Sequence, residues 1–262
     1  MIFKIVKKIL LCVPFLFNGR INAMTDANNY IQSTYYIDSN NSAVVEKATA
    51  VTLGLRTDQE KAVALHNFVR DQIQFGFANS FWKQKASDVL VEKKGYCNTK
   101  STLFVALLRS VNIPSRQIFV DISEEILSGF LTTGAPYVDH SYVEVYLSEK
   151  WIKTDSFILD TKLFNAAQDL LKKEKKSIGY GTVYGASKDW DGQTNSFSQF
   201  LLNESNPYLS KNIFGEYQDV SEFYNKQSQS HNGSWLARLF FPFVKSTINS
   251  KIEKIRTRIN SF

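Results

Sequence analysis

The segment Ser101–Val111 places Leu103, Phe104, Leu107, Leu108 and Val111 around most of the circumference of one helix. A helix with so little polar face has to be covered on nearly every side, so the remaining chain must wrap it. At 262 residues there is enough chain to do so in one domain with appendages. Ahead of the segment stands Gly95-Tyr96-Cys97-Asn98-Thr99-Lys100, and Asn112-Ile113-Pro114 closes it. Cys97 therefore heads a central helix, where unpaired backbone N–H groups favour thiolate over thiol. A thiolate is a nucleophile, but the placement becomes chemistry only if a base and an orienting carboxylate reach it. Otherwise Cys97 is a packing residue.

Around this helix the pattern predicts further elements. Residues 42–51 read as helical. Thr57-Asp58-Gln59-Glu60 is a capping box opening a helix whose Leu65, Phe68, Val69 and Ile73 share a face. A short helix starts at Ala86 and stops near Lys94-Gly95. Residues 116–122 read as a strand, 123–138 as a long connection, and 140–147 as a second strand. Its Ser141, Val143, Val145 and Leu147 lie on one face, and its His140, Tyr142, Glu144 and Tyr146 on the other. A turn at Ser148-Glu149-Lys150 leads to a third strand, Trp151–Asp155. Helices followed by an antiparallel sheet define an α+β fold. Asp160 caps a predicted helix through Thr161–Lys175, whose Lys172, Lys173, Lys175 and Lys176 form a solvated last turn. Gly179–Gly185 suggests close backbone approach, and 186–234 is polar, turn-rich and without an assigned role.

The net charge of +6 is concentrated at the two ends, leaving a net acidic body. That gives no support for a basic nucleic-acid face. Residues 1–23 combine Lys4, Lys7 and Lys8 with the apolar run Ile9–Phe17 and small Ala23, in the manner of a secretory signal. The expected location is secreted or periplasmic if this segment is a signal, and cytoplasmic if Met24 is the true start. Apart from Cys12 in this leader, Cys97 is the sole cysteine, so no internal disulfide reveals the compartment. At the other end, Pro242 is expected to break any single helix through Trp235–Val244. Ile248, Ile252, Ile255 and Ile259 recur beyond it at helical spacing, flanked by Lys251, Lys254, Arg256 and Arg258. This basic amphipathic stretch, within 235–262, either makes peripheral contact with an anionic membrane or docks on its own domain. Residues 24–234 would form the body.

Three histidines are candidates for a base. His66 lies beside the apolar face of its helix and reads as structural, and His231 reads as part of a loop tip, Ser230–Gly233. His140 opens a strand. If Tyr146 faces Trp151, then Tyr142 faces Asp155, and His140 becomes the diagonal same-face neighbour of Asp155 at roughly 7–8 Å. A one-residue slip would place the two on opposite faces.

Together, Gly95-Tyr96-Cys97, the helix closing in Asn112-Ile113-Pro114-Ser115-Arg116, His140-Ser141-Tyr142-Val143-Glu144-Val145 and Trp151-Ile152-Lys153-Thr154-Asp155 resemble the transglutaminase-like superfamily. The resemblance covers roughly residues 57–165 and follows the GxC…GIPxR…HxWxEV…W…D pattern. It implies a papain-like core and a triad of Cys97 as nucleophile, His140 as base and Asp155 as orienting acid. It also implies acyl transfer from amides through a thioester, with peptide or amide hydrolysis favoured over crosslinking. Protein or peptide substrates follow from this. Tyr142 stands where many members have Trp, and Asn112 where Gly is common. The upstream Trp that supplies an oxyanion donor in animal members has Trp82 as its nearest counterpart here, with plain packing as the other reading. No calcium-loop spacing occurs, and no cofactor or metal is expected. Two other readings stay open: a catalytically idle papain-like module that binds peptide or cell-envelope ligands, and arylamine acetyltransferase-like chemistry.

Overall fold

The structure is a computed structural model that describes residues 27–78, 80, 82–199, 209–226 and 235–258. The signal-like segment 1–23, Met24, His231 and Ile259 lie outside the described residues. Helices α1 (Ser42–Thr52), α2 (Asp58–Gln72) and α3 (Ala86–Glu92) precede the central α4 (Cys97–Ser110). The capping box of α2 forms as expected, with Thr57 Oγ1 accepting from Glu60 N and the Glu60 carboxylate accepting from Thr57 N. Two short strands, β1 (Gln74–Phe75) and β2 (Lys94–Gly95), pair in parallel and bring the chain to the head of α4.

Every residue of α4 from Cys97 to Arg109 is buried. Complete burial of each of its Leu and Phe side chains contributes about 1.5–3 kcal/mol. The helix ends at Asn112, whose φ of 62° is left-handed. Asn adopts that conformation more readily than other side-chain-bearing residues, which accounts for its standing at a position where Gly is common.

Strands β3 (Ser115–Ser123), β4 (Tyr137–Leu147), β5 (Lys150–Thr154) and β8 (Leu209–Tyr217) form an antiparallel sheet in the order β5-β4-β3-β8. Tyr146 pairs with Trp151 and Val143 with Thr154, so the hairpin takes the register on which the His140–Asp155 expectation depended. The α4 side of the sheet holds Val143 and Val145 in the main core. Its other side packs Ile118, Val120, Ile122 and Tyr142 under a short hairpin, β6 (Ile178–Gly179) and β7 (Thr182–Val183). Between β5 and this hairpin runs α5 (Thr161–Glu174), capped by Asp160 through its bond from Leu163 N, with its terminal lysines exposed. The fold is α+β, as the order of elements predicted.

Two expectations change. The region 186–234 carries structure that its polar composition concealed. Strand β8 lies within it, as does helix α6 (Val220–Lys226), whose Val220, Phe223 and Tyr224 pack with Phe119 and Tyr217. Pro242 also does not break its helix: α7 runs continuously from Trp235 to Arg256. An interior proline costs about 3 kcal/mol, and contacts further along the helix offset it. Ile248, Ile252 and Ile255 are buried in the main core. Arg256 grips the Asp160 carboxylate through Nε at 3.1 Å and Nη2 at 2.9 Å, and also donates to Phe75 O. Asn249 exchanges two bonds with the Phe77 backbone. Ile248, Ile252 and Ile255 thus dock on their own domain. No described helix is long and apolar enough to cross a membrane.

Candidate active site

The head of α4 is built by close approach. A Cβ on Gly95 would lie 2.7 Å from Thr99 Oγ1 and 3.0 Å from Lys100 Cγ, so only glycine fits without a shift. Thr99 Oγ1 then accepts from Tyr96 N at 3.1 Å, fixing the entry to the first turn. Cys97 follows, 9 % exposed. Burial pushes its thiol up, the nearby Asp139 carboxylate adds to this, and Asp155 does so to a smaller degree. The backbone amides of Ser141 and Asn98 oppose the shift by hydrogen bonding to the sulfur. The helix head therefore acts in the expected direction, but burial and Asp139 outweigh it.

Ser141, whose amide meets the sulfur, follows His140 directly on β4. His140 Nε2 lies 3.1 Å from Asp155 Oδ2, with both side chains almost completely buried. Asp155 Oδ1 accepts from the backbone N–H groups of Ser198 and Gln199. Residues 196–199 run beside the end of β5, where Ser196 O accepts from Asp155 N and Ser196 N donates to Lys153 O. The carboxylate is thus held by main-chain donors, and backbone donors leave no side-chain signature for a sequence reading to find.

On the other side of Cys97, its thiol reaches Asn98 Oδ1 at 3.5 Å. Asn98 Nδ2 donates to Asp139 Oδ2 at 2.8 Å and to Tyr224 Oη at 2.7 Å, and Tyr224 in turn donates to the same Asp139 oxygen at 2.7 Å. Trp82 stacks on Tyr224 with ring centroids 4.6 Å apart. Trp82 thus stands beside this network in a packing contact. Asn98 and Asp139 adjoin the candidate nucleophile and base in sequence, which is the signal that could have found them. Tyr224 arrives from α6 and had none.

His66 is held away from this site. Its Nε2 meets Ser156 Oγ at 2.8 Å and its Nδ1 meets Asn67 Oδ1 at 3.1 Å. Burial lowers its pKa to about 3. The structural reading of His66 fits these partners. Tyr142, at the position of the expected Trp, is buried with its ring edge-on to Phe197. Among the described residues no three His, Cys, Asp or Glu side chains group as a metal site.

Residues 45–156 match the model of the transglutaminase-like superfamily. Two solved structures are similar to about half of the chain. One is a "Putative Cysteine Protease from Cytophaga hutchinsonii" at 19% identity and a TM-score of 0.41, over 49% of this chain and 40% of that one. The other is a "putative protease" from Parabacteroides distasonis at 16% identity and a TM-score of 0.33, over 50% of this chain and 25% of that one. The chain thus spans less than half the length of either. No curated protein matches it.

Proposed function

We propose that this chain, whose residues 45–156 carry the transglutaminase-like core, is a cysteine enzyme acting on amide bonds through a thioester, with Cys97, His140 and Asp155 as its triad. The carrying observation is the buried His140–Asp155 pair at 3.1 Å on the strand whose next amide touches the Cys97 sulfur. Because Nε2 faces Asp155, base chemistry falls to Nδ1. Burial and Asp139 favour the thiol form, and Cys97 loses its proton to His140 as its sulfur bonds the substrate carbonyl carbon. The backbone N–H at the head of α4 stabilises the oxyanion, a donor worth about 3 kcal/mol. The C–N bond then breaks, His140 returns the proton to the leaving amine, and water cleaves the thioester to a carboxylate and the thiol. Asp155 holds the imidazole tautomer and supports the imidazolium. Peptide or carboxamide hydrolysis is the favoured outcome.

The test is turnover of peptide and carboxamide libraries by wild type and Cys97→Ala. Ammonia release without amine incorporation marks deamidation, and a cleaved backbone marks proteolysis. The burial of Cys97 favours a second reading, an idle module with a closed cleft. Iodoacetamide labelling against pH separates the two. A Cys97 profile unmoved by His140→Ala, with no amide turned over, would establish the idle module.

A further inference from the structure

The Asp139 carboxylate is bonded on one edge only. Both of its hydrogen bonds, from Asn98 and Tyr224, arrive at Oδ2, and Oδ1 has no hydrogen-bond partner among the described residues. No described Lys or Arg makes an ion pair with Asp139, although this half-buried carboxylate lies one side-chain amide away from the Cys97 sulfur. Its two donors are neutral, so among the described residues its charge is solvated by hydrogen bonds but not compensated. Asn98, Tyr224 and the stack of Trp82 on Tyr224 fix the carboxylate in place. A fixed, uncompensated carboxylate beside a nucleophile costs the reaction, because it opposes negative charge on the sulfur. The cost disappears when the substrate brings a cation.

We propose that Asp139 is a specificity-determining residue whose Oδ1 edge receives a cationic group of the substrate, a primary ammonium or a guanidinium, beside Cys97. The assignment rests on the reading of Cys97 as the nucleophile. A cation seated there cancels the charge that opposes the thiolate, so binding and activation of Cys97 are coupled. A neutral or acidic substrate leaves that opposition in place.

One test reads the subsite without any turnover. Methanethiosulfonate reagents of matched size carrying an ammonium, no charge or a sulfonate are reacted with the full chain, and modification of the Cys97 peptide is followed by mass. Rates are normalised to those of a small free thiol. The ammonium reagent is expected to exceed the neutral one by about tenfold, with the sulfonate slowest and the preference shrinking with added salt. Asp139→Asn keeps an oxygen acceptor for Asn98 and Tyr224 and should bring the three reagents within about threefold. Tyr224→Phe retains the charge and should keep the preference. Equal normalised rates in wild type, or a preference that survives in Asp139→Asn, would overturn the proposal. If Asp139→Asn fails to fold, the wild-type reagent series and its salt dependence still decide.

A second test uses peptide amides that differ only in a lysine, arginine, norleucine or glutamate next to the scissile bond. Asp139→Asn should lower the preference in kcat/KM for lysine or arginine over norleucine by about tenfold, with the norleucine substrate itself turned over faster once the opposing charge is gone. Turnover that favours norleucine or glutamate overturns the proposal. Absence of all turnover, with an Asp139-dependent reagent preference, removes the enzyme reading and leaves the cation subsite standing.

Discussion

Two buried histidines meet neighbouring residues at one corner of the chain, and they differ in the partner each one reaches there. His140 reaches the Asp155 carboxylate, while His66 reaches the Ser156 hydroxyl, one residue further on. Both rings are at most 1 % exposed. Around His66 stand Asn67 and the rings of Phe104, Phe157 and Trp190, and burial among them favours the neutral imidazole. Beside His140 the carboxylate can support an imidazolium while a proton is in transit. Burial is common to the two sites. The partner is what separates a packing histidine from a candidate base.

Exchanging the consequences of the two sites is the strongest way to break this comparison. His140→Ala should reduce amide turnover by about 10³-fold or more, with the protein still folded. His66→Phe should leave kcat of the folded protein unchanged and lower stability by about 1–3 kcal/mol, through the lost bond to Ser156. Kinetics paired with urea denaturation decides, and equal kinetic effects of the two substitutions would erase the distinction.

Next in size, Asp155→Asn should lower kcat by about 10²–10⁴-fold, because an amide fixes the wrong tautomer and does not support an imidazolium. Steady-state kinetics measures it, and near-wild-type kcat would remove Asp155 from the triad. Arg256→Ala lies outside both histidine sites and should act on folding alone. It leaves the Asp160 charge buried without its partner, at a cost of about 3–5 kcal/mol. Urea midpoints report the loss, and kcat per folded molecule should hold.

The smallest expected effect is pH-dependent. The folded pKa of His66, about 3, lies below its ordinary value of 6.5, so the unfolded chain binds a proton more readily. The resulting stabilisation is complete above pH 6.5 and is lost as the pH falls towards 3. Urea midpoints across that window should fall less steeply in His66→Phe than in wild type. Identical slopes would mean that His66 contributes nothing to the acid limb.

Much of this arrangement is legible in the chain because it is local or periodic. The apolar circumference after Cys97 required a covered helix, and all of α4 up to Arg109 is buried. Alternation in 140–147, with a short turn before Trp151, marked a hairpin whose register stayed open, and the structure takes the one that pairs Tyr146 with Trp151. The capping signals at Thr57 and Asp160 involve residues three apart, and both caps form. Other features were hidden because their partners are remote. The clamp on Asp155 comes from backbone amides more than forty positions away. Tyr224 reaches Asn98 across 126 positions. Pro242 was misread because local propensity counts the missing hydrogen bond but not the Arg256–Asp160 pair that anchors the far end of the same helix.

The sequence by itself determined the helix that carries Cys97, the hairpin that carries His140 and Asp155, and the α+β order of elements. Each follows from periodicity, caps and turns within a short stretch of chain. Only the tertiary structure decided the electrostatics at the sulfur. Those depend on burial and on the distance to Asp139, and neither exists until α4, β4 and α6 pack against one another.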